Sequence, residues 1–285
     1  MLHKINLPHS WIHLSWIVAF QHRLLKNLCS PNVTQEDVSV EWVQQLFPKL
    51  EINWIGSFCN RKHQEKRAIV RMRMIAALDD ATKAQLLADF ENDILFRQAF
   101  LDNCEIHFEL RSLACLQNKE IREQIRRLFE GFYDPYFYRD EKNSRQGYYI
   151  PRQKQESYHF HNHEFLDKFK TANDKLLVCP FCDGPLSGVQ IDHFYAKQHY
   201  PFLSCHPLNL VPICGDCNKD KLASVPMSSL TNGKNPFSDW FHPYLYPLYD
   251  SFVIAFIRDE HDRTRPVLRG QDAQAEIRLQ NLRKF

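Results

Sequence analysis

The chain has 285 residues, nine of them cysteine, with 44% hydrophobic residues, 25% charged residues and a formal net charge of +2. These values exclude disordered and collagen-like chains, and the near-neutral charge excludes a protein that binds polyanions by overall charge alone. The most apolar N-terminal run, Trp11 to Phe20, is about half as long as a membrane span, and no small-residue cleavage site follows it. We therefore expect a cytoplasmic protein without a membrane partner.

The N-terminal half of the chain is predicted to be helical. Between Gly56 and Gly131 lie 74 positions without glycine or proline, the residues that interrupt helices. Apolar residues recur in this region at helical spacing, and Asp79-Asp80 is typical of a helix start. We predict several antiparallel helices between residues 9 and 130.

The chain changes character after Gly131. Residues 132–160 are rich in aromatic side chains, and we interpret them as irregular connecting structure with buried rings. Proline and glycine are then dense through residue 247, as is typical of a small, loop-rich module. Residues 251–257 predict a strand, and the residues from Gln271 onward predict a short amphipathic helix.

Two Cys-x-x-Cys pairs predict a structural zinc site. The ligands would be Cys179, Cys182, Cys214 and Cys217, because two thiolate pairs at this spacing can complete a tetrahedral site. A redox dithiol is disfavoured, since no βαβ pattern surrounds either pair. The 31 residues between the pairs exceed what a simple zinc ribbon needs, which indicates an inserted function.

The inserted residues suit metal-dependent hydrolysis. Residues 188–191 predict a strand that ends at Asp192 and His193, residues 208–212 predict a second strand, and Asn218 opens a predicted helix. Carboxylate and amide oxygens suit Mg²⁺ or Mn²⁺, while a neighbouring imidazole can take a proton from water near neutral pH. This combination can hydrolyse a phosphodiester.

Asp192-His193, Asn209 and Asn218, set between the cysteine pairs, resemble the HNH endonucleases, the ββα-metal nuclease family. The resemblance implies that Asp192 and Asn218 bind the catalytic metal, that His193 is the general base and that Asn209 orients the loop holding His193. The third motif position carries Asn where the family name has His, which bears on the choice of metal. The resemblance does not extend to residues 1–160.

Positive charge near this motif is sparse. We expect Lys197, Lys219 and Lys221 to contact the substrate, yet the segment from Cys179 to Ala223 has three lysines against four aspartates, a net charge of −1. It cannot hold DNA by charge alone. Two basic segments elsewhere, running from Arg61 to Arg73 and from Arg122 to Arg127, are either solvated helix faces or contacts to nucleic acid or a partner.

The sequence allows two interpretations of the other histidines. His159, His161 and His163 alternate along an extended segment and either bind a metal or lie in solvent. His199 and His206 are interpreted as packing or rim residues, with a substrate contact as the alternative.

The order of a helical extension, this module and then Phe241-His242-Pro243-Tyr244 resembles HNH effectors of bacterial anti-phage systems, in particular the Septu type and its retron-linked versions. That resemblance implies control by a partner ATPase, with DNA as the substrate. Two alternatives stay open. One is a non-catalytic zinc module that binds nucleic acid or protein, and the other is a stand-alone restriction or homing nuclease.

The predicted fold class is α+β and mostly α. We expect a helical partner-docking domain over 1–160, a zinc-stapled ββα-metal module over 161–250, and a C-terminal strand and helix over 251–285 that pack on the module. The expected cofactors are a structural zinc ion and a catalytic Mg²⁺ or Mn²⁺.

Overall fold

The computed structural model describes residues 5–48, 50, 52–63, 65–97, 110–137, 148–150, 158–174, 178–220, 242–245, 252–258 and 263–282. Across these ranges the fold is α+β with helices predominating, which confirms the predicted class at this level. The helices are α1 Trp11–Leu28, α2 Val40–Leu46, α3 Ile52–Asn60, α4 Ala68–Ala76, α5 Asp80–Asp93, α6 Lys119–Gly131, α7 Asn162–Ala172, α8 Gly215–Asp220 and α9 Ala273–Leu282.

Strands in the described ranges pair as two-stranded antiparallel sheets. The pairs are β1 Lys62–His63 with β2 Lys66–Arg67, β3 Tyr148–Ile150 with β4 Tyr158–Phe160, β5 Gln190–His193 with β6 Leu210–Ile213, and β7 Phe252–Arg258 with β8 Thr264–Gly270. Strand β7 and helix α9 agree with the predicted C-terminal elements, whereas β8 was not predicted.

Side-chain caps explain where several helices begin. The Asp79 carboxylate accepts a hydrogen bond from the Thr82 backbone N–H at 2.9 Å and caps α5, as its position in the sequence predicted. Asn118 caps α6 in the same way, by accepting from two N–H groups of the first turn. Each cap satisfies amide groups that a helix leaves unpaired at its start.

The region without glycine or proline contains several helices, and in the described residues it also contains a hairpin that was not predicted. Helix α3 ends at Asn60, whose side-chain amide donates to the Gly56 carbonyl oxygen at 3.0 Å. The hairpin β1–β2 follows, and Arg67 is extended, with φ −74° and ψ 154°, before α4 begins. A missing helix breaker therefore permits a helix but does not require one where the chain must turn.

The aromatic stretch is more regular than expected, and the rings that the structure describes in it are buried as predicted. Residues Phe132–Phe137 continue α6 as a π-helical turn, and β3 and β4 form a hairpin. The turn is kinked at Asp134, with φ −120° and ψ 115°, because a residue that precedes proline disfavours the helical conformation. Buried rings of this stretch are Phe132, Tyr133, Phe137 and Phe160.

Two hydrophobic clusters form the core, and each contains residues from both sides of residue 160. The larger cluster joins the N-terminal helices to Ile191, Phe202 and Leu210. The smaller cluster joins Ile5 and Phe96 to the segment that carries the cysteine pairs. The helical region and the cysteine-bounded segment thus share apolar packing, while the domain boundaries stay a prediction. Of the described helices, none has the length and apolar character that a membrane crossing requires.

Candidate metal centre and adjoining cavity

The four paired cysteines converge as predicted. The Sγ atoms of Cys179, Cys182, Cys214 and Cys217 all lie within 4.8 Å of one another, and those of Cys182 and Cys214 are 3.8 Å apart. A Zn–S bond of about 2.3 Å places the sulfurs of a tetrahedral site about 3.8 Å apart. The cluster therefore has the spacing that a zinc ion requires.

Backbone amides support the same assignment. Amide N–H groups of Gly184, Cys214 and Cys217 donate to the sulfurs of Cys182, Cys179 and Cys214, each over 3.4 Å. Burial raises the pKa of the Cys179 and Cys217 thiols. Burial also acts to raise the pKa of the Cys214 thiol, but hydrogen bonds from Cys217 and the other thiols outweigh it, so that this pKa is lowered. Thiolate donors of this kind favour zinc over hard cations.

A glycine makes room beside one of the sulfurs. A Cβ atom at Gly184 would lie 3.2 Å from Cys182 Sγ, closer than ordinary van der Waals contact. The turn that presents the first cysteine pair is therefore shaped around the sulfur.

The hairpin β5–β6 connects the metal centre to the predicted catalytic motif. Asp192 pairs with Val211, and β6 runs directly into Cys214 and helix α8. The boundaries differ from those predicted: Pro207–Asn209 forms a 3₁₀ turn before β6, and α8 begins at Gly215, so that Asn218 lies inside that helix. The His206 side chain accepts a hydrogen bond from the Leu208 N–H, which stabilises the turn in place of a longer strand.

A cavity of about 270 Å³ lies at the end of this hairpin. It brings together four predicted site residues, Asp192, His193, Lys197 and Asn218. The remaining lining residues are Tyr133, Asp134, Gln190 and Ile191.

Asp192 and Asn218 present oxygen atoms suited to a hard cation. Gln190 and Asp192 are two residues apart on β5, which places them on one face of the strand. The Asn218 Nδ2 group donates to the Gln190 Oε1 atom, so Asn218 Oδ1 is the oxygen left for a cation. A carboxylate and an amide oxygen are the donors that Mg²⁺ and Mn²⁺ favour.

His193 is buried and held from two sides. Its Nε2 atom lies 3.0 Å from the Ser204 carbonyl oxygen, and because a carbonyl only accepts, Nε2 donates and a neutral ring carries its lone pair at Nδ1. The Tyr133 ring packs edge-to-face against the imidazole at a centroid distance of 4.3 Å. The ring orientation is therefore set by contacts within the protein.

Asn209 lies beneath the site with its side chain fully buried. Its Oδ1 accepts from the Tyr195 N–H at 2.6 Å, and its Nδ2 donates to the carbonyl oxygens of Tyr195 and Leu203 at 3.0 and 2.9 Å. The Asn209 carbonyl also accepts from the Phe194 N–H at 2.8 Å. These bonds fasten the chain that immediately follows His193.

The three predicted substrate lysines have different placements. Lys197 lines the cavity, with Nζ 4.7 Å from the Tyr133 ring centroid. Lys219 is exposed on α8 and is not among the residues that line the cavity. Lys221 lies outside the described residues.

Sequence reasoning did not identify Tyr133, Asp134 or Gln190 as site residues. Gln190 could have been found, because strand alternation places it on the same face as Asp192. Tyr133 and Asp134 come from the helical region, and no motif spacing connects them to the cysteine-bounded segment.

The other histidines do not extend the metal centre. Burial lowers the pKa of His206 to about 3, and its ring packs on Phe96 at 4.7 Å, which confirms the packing interpretation. His199 is exposed, and the ring centroids of His161 and His163 are 5.7 Å apart. Among the residues that the structure describes, the four cysteines form a group of three or more potential ligands whose atoms lie close enough together to hold a metal ion. The side chain of His159 lies outside the described residues.

Much of the predicted basic surface is used internally. Arg71 is buried and donates to Gln124 Oε1 and to the Lys66 carbonyl, so it is not part of a solvated or DNA-binding face. In the second segment, Arg126 pairs with Glu123 and Glu130. Arg127 pairs with Glu123 at 2.7 Å. Ion pairs within the fold therefore neutralise much of the second basic segment.

Comparisons with known proteins find a similarity to part of the chain. No protein-family model matches the chain, and no solved structure matches it. Protein ea31 of Escherichia phage lambda is 43% identical over 61 residues, which are 20% of this chain and 21% of that protein. The similarity thus spans about a fifth of the relative's length.

Proposed function

We propose that the protein is a metal-dependent endonuclease of the HNH type that hydrolyses phosphodiester bonds in DNA. The observation that carries this proposal is the cavity beside the four-cysteine cluster, which is lined by Asp192, His193, Lys197 and Asn218. A general base, two hard oxygen donors and a cation are the groups that metal-dependent phosphodiester hydrolysis requires.

Each of these side chains has a specific role in the proposal. Asp192 and Asn218 Oδ1 would hold Mg²⁺ or Mn²⁺, which supplies charge stabilisation at the phosphate. His193 accepts a proton from the attacking water at Nδ1, since its Nε2 is engaged by the Ser204 carbonyl. The Lys197 ammonium group attracts a phosphate oxygen at the cavity wall.

Cleavage of supercoiled plasmid by the zinc-loaded full chain tests the assignment, with Mg²⁺ and Mn²⁺ supplied in separate reactions. We expect His193→Ala to lower the cleavage rate by about 10²–10⁴-fold, the usual cost of losing a general base. His199→Ala removes an exposed imidazole and serves as the matched control. Both variants should keep the zinc content and melting temperature of the wild type.

Two results would contradict the proposal. Cleavage by His193→Ala at the wild-type rate would remove the assigned base. Binding of DNA without cleavage, by the chain alone and in any complex recovered from cells, would favour the non-catalytic zinc module.

The proposal extends to control by a partner ATPase in a bacterial anti-phage system, within the cytoplasm and through residues 1–160. It is supported by the net charge of −1 between Cys179 and Ala223, which predicts weak DNA binding by this segment alone. Exposed apolar side chains of Trp11, Ile12 and Val70 in the helical region suit a protein interface. Equal cleavage rates for the isolated chain and a purified complex at physiological salt would instead indicate a stand-alone nuclease.

A further inference from the structure

The end of helix α6 contacts the hairpin on both sides of His193. The Ser204 hydroxyl donates to the Phe129 carbonyl oxygen at 2.7 Å, and the Tyr133 hydroxyl donates to the Ile191 carbonyl oxygen at 3.4 Å. Ser204 is the residue whose carbonyl accepts from His193 Nε2, and Ile191 precedes His193 by two residues on β5. The helical region therefore supports Ser204, which binds the imidazole, and the strand that carries His193.

The Tyr133 ring itself touches two of the proposed functional groups. It is buried and meets the His193 ring edge-to-face at an interplanar angle of 71°. The Lys197 ammonium group lies 4.7 Å from the centroid of the same ring, a distance at which the ring quadrupole attracts a cation. One side chain from the helical region thus fixes a base and a cation that both belong to the cysteine-bounded segment.

We propose that Tyr133 is a positioning residue that orients the imidazole of His193 and the ammonium group of Lys197 at the cavity wall. This inference rests on the proposed nuclease function. It assigns part of the site to the helical region, since residues 161–250 alone would lack this wall. The phenol acts through its ring, because the hydrogen bond from its hydroxyl is long.

Two substitutions separate the ring from the hydroxyl. Tyr133→Leu removes the ring while keeping an apolar side chain, and we expect kcat to fall about 10²-fold, because displacing a reacting group by about 1 Å has a cost of this size. The KM for DNA should also rise, since Lys197 loses its support. Tyr133→Phe keeps both ring contacts and should restore kcat to within about twofold of the wild type, given the weakness of the lost hydrogen bond.

Phe165→Leu is the matched control for general destabilisation. Phe165 is fully buried in the same hydrophobic cluster, and its ring packs against the Phe137 ring with the centroids 6.2 Å apart. We expect this variant to lower the melting temperature and leave kcat unchanged. An equal fall in kcat for Phe165→Leu and Tyr133→Leu would show that lost stability explains both, and would overturn the proposal.

A second readout does not depend on cleavage. Ring ¹⁵N chemical shifts of His193 in the zinc-loaded full chain should show the Nε2–H tautomer in the wild type and in Tyr133→Phe, and averaged values in Tyr133→Leu. If the wild type cleaves no DNA, the nuclease function fails while these shifts still report on the positioning of His193. Wild-type shifts and wild-type kcat in Tyr133→Leu would refute the role of Tyr133. Should that variant fail to fold, Tyr133→Met takes its place, since methionine fills irregular apolar space.

Discussion

Replacing Asn209 with alanine should destabilise the protein more than its small loss of volume suggests. The side chain is fully buried and makes hydrogen bonds to three backbone groups, the N–H and carbonyl of Tyr195 and the carbonyl of Leu203. An alanine side chain makes none of these hydrogen bonds. The Tyr195 N–H and carbonyl would then stay buried without the side chain that satisfies them, whereas the Leu203 carbonyl keeps the hydrogen bond from the His206 N–H at 3.1 Å.

The expected magnitude follows from the number of groups that lose a partner. Leaving one buried donor or acceptor unsatisfied costs about 1–3 kcal/mol, so the two Tyr195 groups predict a loss of about 2–6 kcal/mol in the free energy of unfolding. Entry of a water molecule into the vacated space would bring the value toward the lower end. A loss of this size is a large part of the about 5–15 kcal/mol that stabilises a typical domain.

Urea unfolding of the zinc-loaded chain, followed by far-ultraviolet circular dichroism, measures this difference. Asn218→Ala is the matched control, because Asn218 is only partly buried and its side chain bonds to another side chain, that of Gln190. We expect the control to cost less than about 1 kcal/mol. Hydrogen exchange of the Tyr195 amide should accelerate in Asn209→Ala alone. A change below about 1 kcal/mol with a fully protected Tyr195 amide would show that the Asn209 side chain does not stabilise this turn.

Three further outcomes are expected. Cys214→Ser should lose zinc and unfold at lower temperature, because metal binding supplies folding free energy. Metal analysis and a melting curve measure the two effects. A metal-free variant with the wild-type melting temperature would contradict this prediction. Asn218→Ala should weaken Mn²⁺ binding while Asn218→His retains it, and identical titrations for both variants and the wild type would show that Asn218 is not a ligand. Burial raises the pKa of Asp93 from 3.8 to about 6, against hydrogen bonds from Arg111, Asn92 and Ser112 that lower it. Since the native state then keeps a proton that the unfolded state releases, this group's contribution to stability falls as pH rises through that window, and Asp93→Asn should remove this part of the slope in urea titrations. An unchanged slope would contradict the assignment.

The four-cysteine cluster was predictable because residues close together in sequence specify it. Two Cys-x-x-Cys pairs define four ligands and their pairing in tight turns, and the structure brings all four sulfurs within 4.8 Å. The strand that leads to Asp192 was also recognisable from its alternation, although β5 extends through His193. The beginning of β6 was harder to predict from the sequence, since it depends on a 3₁₀ turn that begins at Pro207 and is stabilised by the His206 side chain.

The part of the cavity formed by Tyr133 could not be predicted from local patterns. Tyr133 and Ile191 are 58 residues apart in sequence, and neither residue belongs to a motif that specifies the other. Their contact depends on the π-helical turn that continues α6 and on the kink at Asp134 within that turn. Such a contact is decided by tertiary packing and not by residue spacing.

The shared core explains why the helical region and the cysteine-bounded segment line one cavity. Ile191 and Leu210 lie on the two strands of the hairpin that carries His193, and both are buried in the cluster built by the N-terminal helices. Phe202 packs edge-to-face on Phe129 of α6 at 4.7 Å, next to the Ser204 hydroxyl that bonds to the same residue. Dividing the chain at residue 160 would expose these apolar surfaces to water, at a cost of about 1.5–3 kcal/mol for each large side chain. The zinc ion can hold the cysteine turns together, but the orientation of the hairpin and of His193 depends on the helices against which they pack.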